Sequence, residues 1–367
     1  MCFENGAMYL YKDPEWTEAG EIGDGILTGS WAPNQEYLAV ATKAGKLIIF
    51  TPEFDVLYEA DIDDDDLTFG ADEEMDPTVR DAEISWRGDS SILMINYGIG
   101  KGRKCLTRDM ERSLQVAKGP ARADNQVVFS VSEAPVPALE LPISFMPNGS
   151  LVAGFQRRIL PNGSVNPEIV FWERNGLRHG EFDLPKAQDG NKTQVISLSF
   201  NLESTVLAIH CSIDDQEQVL LYTRSNWKWY CKQQILVSSD SADKLTSLIW
   251  VKKYQICLVH ANGRLTFTEY CFEYSTSSSN YNMGTPKDNH GYVAVVDGAA
   301  INLTPLGKFV MPPPMFEKQV VLPFTPNSIN LYGHSGVAFV EHAKSLFTFD
   351  CGQEAPVANQ YQISDLL

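Results

Sequence analysis

Residues 31–50 read WAPNQEYLAVATKAGKLIIF, which is an aromatic anchor followed by a turn, an apolar strand, a glycine turn and a second apolar strand. The β-branched and aromatic residues on both sides of Gly45 predict a β-hairpin. Five segments of this kind occur, with anchors spaced by 55, 59, 55 and 50 residues: Trp31, Trp86, Phe145, Phe200 and Trp250. A period of about 40–50 residues, lengthened by loops, is typical of the blades of a β-propeller.

The hairpin pattern continues over most of the chain. Eight strand–turn–strand segments can be counted, at residues 1–11, 37–50, 92–106, 151–172, 206–222, 257–267, 293–303 and 337–349. No segment keeps an apolar period of 3.6 residues for more than about three helical turns. We therefore predict an all-β chain that forms a WD40-type β-propeller of about seven blades.

The two ends of the pattern are irregular. The first hairpin has no strand before it, so we expect the chain to start inside a blade and the first blade to be incomplete. A proline-rich break at residues 311–315 precedes the last hairpin. We predict a first propeller over residues 1–325. Residues 326–367 are then either its closing blade or the beginning of a second propeller, and the sequence leaves both open.

The net charge of −18 is concentrated in one segment, because ten carboxylates and no lysine or arginine lie within residues 59–76. A run of like charges repels itself and is typical of a solvated loop, although it is also a candidate docking site for a basic partner. The candidate contacts are Asp63, Asp64, Asp65, Asp66, Glu73 and Glu74. Because the chain lacks the positive face that phosphate backbones require, we do not expect it to bind nucleic acid directly.

The sequence shows no constellation of catalytic, cofactor-binding or metal-ligating residues. Seven cysteines with irregular spacing form no C-x-x-C pair, so neither a disulfide framework nor a zinc site is predicted. Residues 98–102, GIGKG, follow a strand but do not open a helix, which favours a hairpin loop over a phosphate-binding loop. His210 and His260 each end an apolar strand, where we expect them to satisfy local hydrogen bonds. No apolar run is long enough to span a membrane.

Trp227 and Trp229 alternate in the segment SNWKWYCKQQ. Alternate residues of one strand point to the same side, so both rings are expected to fill an interface between blades. If one of them is exposed, it becomes a candidate anchor for a binding partner, because tryptophan is frequent among the residues that dominate interfaces.

Five segments resemble the largest subunit of the Elongator complex, also called IKAP, and they occur in the order found in the N-terminal region of that family. They are FWERNGLRHGEF at residues 171–182, ISWRGD at 84–89, WKWYCKQ at 227–233, VAVVDG at 293–298 and VMPPPM at 310–315. Together they span most of the chain, and the variant is closer to fungal members than to animal ones. Residues 67–78 depart from the family pattern, because acidic sequence stands there in place of a family segment.

The resemblance implies the first of two tandem WD40-type propellers in a non-catalytic scaffold subunit. In that family, the complex modifies carbon 5 of the wobble uridine in tRNA. The chemistry belongs to another subunit, a radical-SAM and acetyltransferase-like protein. The implied partners are that catalytic subunit and a second WD40 subunit, with homodimerisation through a region outside this chain. The implied location is the cytoplasm, with the nucleus as a second compartment, and no cofactor is implied.

Two other function classes stay open. One is a generic WD40 module that binds extended peptides, for which exposed aromatic and charged residues around one mouth of the propeller would speak. The other is a propeller enzyme with an active site at the central channel, which would need convergent polar or metal-binding groups.

Overall fold

In a computed structural model, the protein is described over thirteen ranges: residues 4–12, 14–62, 80–99, 102–110, 131–132, 139–149, 151–174, 176–185, 187, 192–237, 243–270, 291–308 and 315–365. The elements described there are twenty-eight β-strands and a short 3-10 helix at Ile363–Asp365. The chain divides into two compact units. Unit 1 comprises Met1–Lys186 with Leu202–Ser204, and unit 2 comprises Ala187–Asn201 with Thr205–Leu367.

Unit 1 contains four antiparallel sheets, each made of strands that follow one another in the chain. The first sheet is a two-stranded hairpin of β1 (Ala7–Lys12) and β2 (Glu15–Glu21). The second has the order β3 (Ile26–Trp31), β4 (Leu38–Thr42), β5 (Lys46–Phe50) and β6 (Val56–Asp61). The third contains β7 (Arg80–Trp86), β8 (Ile92–Ile99), β9 (Gly102–Asp109) and β10 (Val131–Ser132). The fourth contains β11 (Leu139–Phe145), β12 (Leu151–Ile159), β13 (Val165–Glu173) and β14 (Arg178–Asp183).

Unit 2 also contains four antiparallel sheets in chain order. The first has β15 (Thr193–Phe200), β16 (Val206–Ile213), β17 (Gln216–Ser225) and β18 (Lys228–Leu236). The second has β19 (Leu245–Lys252), β20 (Gln255–His260) and β21 (Leu265–Glu269). The third has β22 (Tyr292–Asp297), β23 (Ala300–Pro305) and β24 (Lys318–Val321). The fourth has β25 (Ser328–Tyr332), β26 (Ser335–Val340), β27 (Ser345–Asp350) and β28 (Asn359–Gln362).

Within each unit, an apolar sheet face is covered by the face of a neighbouring sheet. In unit 1, β4 and β5 pack against β7 and β8 through fully buried side chains that include Leu47, Ile49, Leu93 and Ile95. In unit 2, the β15–β18 sheet packs against the β19–β21 sheet through buried side chains that include Val219, Leu221, Ile256 and Leu258. Each Å² of apolar surface that these contacts remove from water stabilises the fold by about 25 cal/mol.

Two of the three tryptophan anchors, Trp86 and Trp250, connect successive sheets. In unit 1, Trp86 ends β7, and its Nε1–H donates to the carbonyl of Ser30 on β3 at 3.1 Å. In unit 2, Trp250 on β19 donates in the same way to the carbonyl of Ser199 on β15, also at 3.1 Å. The anchor therefore ties the first strand of one sheet to the first strand of the preceding sheet.

The all-β prediction is confirmed, and seven of the eight predicted hairpins match consecutive paired strands. The first hairpin, predicted within residues 1–11, is displaced: β1 pairs with β2, which extends to Glu21. The sheet of β25–β28 packs against the sheet of β22–β24 in unit 2. The boundary proposed at residue 325 and the number of blades stay predictions.

Candidate functional site

The hairpin that joins β17 to β18 is the most distinctive feature of unit 2. Ser225 pairs with Lys228, so Asn226 and Trp227 alone form the turn. Both turn residues have positive φ, at 48° and 65°, as the two central residues of a type I′ turn do. Asparagine is favoured at the first of these positions, and glycine is favoured at the second. A bulky residue with positive φ is a conformational outlier, so the position of Trp227 is unusual.

The side chain of Trp227 is exposed. Its relative accessibility of 86% is the highest among the large exposed hydrophobic residues in the described ranges. The guanidinium of Arg224 lies over the indole at 4.6 Å from the ring centroid, which is a cation–π contact. Arg224 is exposed as well, so the tip presents a stacked pair of a planar cation and an aromatic ring.

The side chain of Trp229, in contrast, is buried. It lies on β18, is 7% exposed, and contacts Phe200 with ring centroids 6.1 Å apart. The prediction that Trp227 and Trp229 share one face of a strand is wrong for Trp227, because the two-residue turn takes it out of the strand alternation. The expected burial is confirmed for Trp229 alone. Asn226, a turn-forming residue directly before Trp227, is the sequence signal that could have shown this.

The base of the hairpin is fixed to the turn between β22 and β23. Lys228 Nζ lies 2.9 Å from Asp297 Oδ2, and the backbone N–H of Cys231 donates to Asp297 Oδ1 at 3.3 Å. The N–H of Gly298 donates to the carbonyl of Cys231 at 2.8 Å. Lys232 donates to the carbonyl of Val296 at 2.6 Å, and burial lowers its pKa to about 8. No pattern in the sequence indicates these contacts, because the partners are more than sixty residues apart in the chain.

The turns of the first two sheets in unit 2 point to the same end. Asn201, at the end of β15, donates from Nδ2 to the carbonyl of Lys253 in the β19–β20 turn at 2.8 Å. Lys252 and Lys253 are exposed at this end. Arg224 is exposed there as well, and Lys228 is paired with Asp297.

The acidic candidates lie outside the described residues: Asp63, Asp64, Asp65, Asp66, Glu73 and Glu74. The described part of the acidic segment ends at Ile62. Within it, Glu59 on β6 forms an ion pair with Lys46 on β5, with 2.7 Å between Oε1 and Nζ. Partner binding by the acidic segment stays a prediction.

His210 and His260, the two histidines at strand ends, form hydrogen bonds with neighbouring residues. His210 Nε2 lies 2.6 Å from Glu217 Oε1, and burial lowers the pKa of the imidazole. His260 contacts the carbonyl of Asp243 at 2.8 Å and Thr266 Oγ1 at 2.9 Å, so the local hydrogen bonds expected for both histidines are confirmed.

The five described cysteines are free and buried, namely Cys105, Cys211, Cys231, Cys257 and Cys351. Burial raises the pKa of Cys231 to about 12 and that of Cys351 to about 11, so these thiols are protonated and poor nucleophiles near neutral pH. In the part of the chain that the structure describes, no three His, Cys, Asp or Glu residues come together as a possible metal site. No helix described there is long and apolar enough to cross a membrane.

The chain matches the family model described as "ELP1 first N-terminal beta-propeller" over residues 1–79 and 70–253, which is more than half of its length. This match agrees with the predicted β-propeller fold and with the order of strands in the sheets. The chain is also similar to the crystal structure of the Myceliophteria thermophila Cps50 (Swd1) β-propeller domain. The similarity covers 92% of this chain and 86% of that domain, at 11% identity and a TM-score of 0.39. That TM-score is too low to bear on the fold.

Several relatives are named Elongator complex protein 1, and three of them are from mouse, fission yeast and fly. The protein from Mus musculus is 28% identical over 91% of this chain and 26% of its own length. The protein from Schizosaccharomyces pombe is 24% identical over 96% of this chain, and the one from Drosophila melanogaster is 28% identical over 96%. Each of these last two is covered over 28% of its own length, so the chain spans about a quarter of the relatives it matches.

Proposed function

The chain belongs to the family of the first N-terminal β-propeller of Elongator complex protein 1, and on that premise we propose that it is a non-catalytic scaffold in the Elongator complex. The observation that carries the proposal is the family match over residues 1–253. The matched family is a propeller domain rather than a catalytic one. The similarity to Elongator complex protein 1 from mouse, fission yeast and fly supports the same assignment.

The architecture suits a scaffold on physical grounds. Neighbouring sheets cover each other's apolar faces within each unit, so the hairpin turns and outer edges are left to contact other proteins. A rigid surface loses little conformational entropy when it binds, which lowers the free-energy cost of association. The fixed base of the β17–β18 hairpin is an example of such a surface.

As a scaffold, the protein supports modification of carbon 5 of the wobble uridine in tRNA without carrying out the chemistry. Its partners are the radical-SAM and acetyltransferase-like catalytic subunit and a second WD40 subunit. We also propose that the full-length protein homodimerises, through a region outside this chain. The chain itself binds neither nucleic acid nor a membrane, and it acts in the cytoplasm and also in the nucleus.

Co-purification tests the proposal. The chain would be expressed with an affinity tag in cells, next to an unrelated β-propeller with the same tag, and the recovered proteins would be quantified by mass spectrometry. We expect enrichment of the catalytic subunit and of the second WD40 subunit over the control. Equal recovery of both subunits with the unrelated propeller would refute a scaffold role, as would turnover of a substrate by the purified chain alone.

The acidic segment is a second contact in this proposal, because a basic subunit would be attracted to Asp63–Asp66, Glu73 and Glu74. Replacing the four aspartates by asparagine should lower recovery of that subunit at low salt and have a smaller effect at high salt, where charges are screened. Unchanged recovery at both salt concentrations would remove this contact.

A generic peptide-binding module remains the second candidate, and the exposed indole of Trp227 is the observation that favours it. In that case the chain would bind extended peptides of many proteins. Recovery of diverse proteins without enrichment of the two Elongator subunits would favour the module over the scaffold.

A further inference from the structure

We propose that the β17–β18 tip, defined as Arg224, Trp227 and Lys228, binds an acidic segment of a partner protein. An apolar side chain of that segment rests on the open face of the Trp227 indole, and a neighbouring carboxylate binds the guanidinium of Arg224. The inference rests on the proposed scaffold function, because it describes the chemistry of one contact that such a scaffold makes.

The first step is the accessibility of the indole. Arg224 lies over one face of the ring, and the side chain of Trp227 is still 86% exposed, so the opposite face is open. Tryptophan and arginine are the residues most enriched among those that dominate binding energy in protein interfaces. A large apolar ring in water at the end of a hairpin gains free energy when an apolar group covers it.

The second step is the backbone. Trp227 holds φ at 65°, where a side chain with a Cβ costs on the order of 1–2 kcal/mol relative to glycine. The stacking with Arg224 at an exposed site returns about 0.5–1 kcal/mol. The folded chain therefore gains no net stability from tryptophan at this position. Residues held in such conformations are concentrated at binding and catalytic sites, which points to a binding role.

The third step is the guanidinium. A guanidinium stacked on an aromatic ring keeps its N–H donors in its own plane and directed outward, where they match the two oxygens of a carboxylate. Among the described residues, none forms an ion pair with Arg224. Lys228, in contrast, is already paired with Asp297 at 2.9 Å. Arg224 is thus the group at the tip that is available to a carboxylate of a partner.

The fourth step is the charge of the partner. Lys252 is exposed at the same end of unit 2 as Arg224, so the two cations attract negative charge to the surroundings of the tip. Single-stranded nucleic acid would also be attracted, but it is bound by successive aromatic rings along a positive groove. Here Trp229 and Tyr230 are buried and Trp227 stands alone in its turn, which favours a peptide with carboxylates.

The tip is also held in place before binding. Trp229 packs on Phe200, and Lys228 is fixed by Asp297. A preorganised hairpin loses little side-chain and backbone freedom on association, so the contact needs few additional residues to be strong.

Fluorine NMR tests the inference at the level of one side chain. The chain contains seven tryptophans, which would be labelled as 5-fluorotryptophan. The resonance that is lost in Trp227→Phe belongs to Trp227. The probe is a pool of twelve-residue peptides in which Asp and Glu alternate with Leu, Phe and Pro. We expect the Trp227 resonance to shift and saturate during titration, while the resonances of buried tryptophans such as Trp229 and Trp172 stay in place.

Variants of Arg224 and Tyr332 test which side chains contribute to peptide binding. Arg224→Gln and Arg224→Lys should both weaken the peptides by about tenfold, because lysine keeps the charge but loses the planar fork. Tyr332→Ala removes another exposed aromatic side chain of unit 2, 75% exposed, and should leave the titration unchanged. Unshifted positions of the other six resonances show that each variant is folded.

Four outcomes overturn the inference. The first two are no shift of the Trp227 resonance at millimolar peptide, and an equal shift with peptides that carry Lys in place of Asp and Glu. The other two are peptide binding by Arg224→Gln as strong as that of the parent chain, and a shift when a ten-nucleotide oligouridylate is added without peptide. None of these outcomes touches the co-purification of the Elongator subunits. The scaffold function can therefore stand while the proposed contact fails, and the two results are distinguishable.

Discussion

Trp250 and Ser199 join two sheets of unit 2, because the indole Nε1–H of Trp250 donates to the backbone carbonyl of Ser199 at 3.1 Å. Trp86 and Ser30 repeat this arrangement in unit 1 at the same distance. Both indoles are buried, at 9% and 7% exposure. The same residue type therefore does two things at equivalent points of the repeat: it fills the space between sheets and satisfies a backbone carbonyl.

Trp250→Phe should destabilise the protein by about 1–3 kcal/mol, since phenylalanine leaves the carbonyl of Ser199 without its donor and fills less volume. Urea unfolding followed by circular dichroism measures the loss. Trp31→Phe is the matched control, because Trp31 is 42% exposed and its indole makes no hydrogen bond to another described residue. A loss for Trp250→Phe no larger than that for Trp31→Phe would contradict this account of the anchor.

Glu168 should be the most sensitive carboxylate of unit 1. Its side chain is fully buried and forms ion pairs with Arg158 at 3.2 Å and with Arg178 at 3.1 Å. Because removing one partner of a buried pair leaves charge uncompensated, Glu168→Gln is expected to cost about 1–3 kcal/mol, limited by the partial exposure of both arginines. Urea unfolding checks this value. Glu181→Gln breaks an exposed pair with Arg178 and should change stability by less than about 0.5 kcal/mol.

Glu83 predicts a specific dependence of stability on pH. It lies on β7 opposite Asn96, no described residue forms an ion pair with it, and burial raises its pKa to about 7. The unfolded chain has the ordinary value of 4.5. Between these values the folded state binds more protons than the unfolded state, so the stability contributed by this group falls as the pH rises from about 4.5 to 7.

Glu83→Gln should remove that term. At pH 8 the variant is expected to be more stable than the parent chain by about 1–2 kcal/mol, a value below the full shift because the side chain is partly exposed. At pH 4 the two should be equal within about 0.5 kcal/mol. Urea unfolding of both proteins at the two pH values gives the difference, in which titration of other groups such as His210 cancels. A difference that does not change with pH would show that Glu83 keeps its ordinary pKa.

The fold could be predicted from the sequence because its signals are local. The anchor Trp31, the turn that follows it and the alternation around Gly45 all lie within the twenty residues 31–50, and each predicts a hairpin without knowledge of the rest. The family membership followed from five short segments in order. Both inferences depend on residues that are close together in the chain.

The candidate site could be predicted only in part, because its geometry is not local. A shift of the turn by one or two residues decides whether Trp227 lies in a strand or at its tip, and strand alternation alone does not fix that register. The contacts of Lys228 and Lys232 with Asp297 and Val296 join segments that are far apart in the chain. Such contacts arise when sheets pack, so no pattern within β18 indicates them.

The turn at Trp227 leads to an unusual ranking of two variants. Glycine normally destabilises a regular structure relative to alanine, because it loses more backbone freedom on folding. At φ of 65° the ranking should invert, since alanine retains the Cβ that disfavours this conformation. Trp227→Ala and Trp227→Gly both lack the indole and its contact with Arg224, so their difference isolates the backbone. We expect the glycine variant to be more stable by about 1 kcal/mol in urea unfolding. If alanine proved equal or better, the backbone at Trp227 would be unstrained, and strain would not indicate a binding role for this residue.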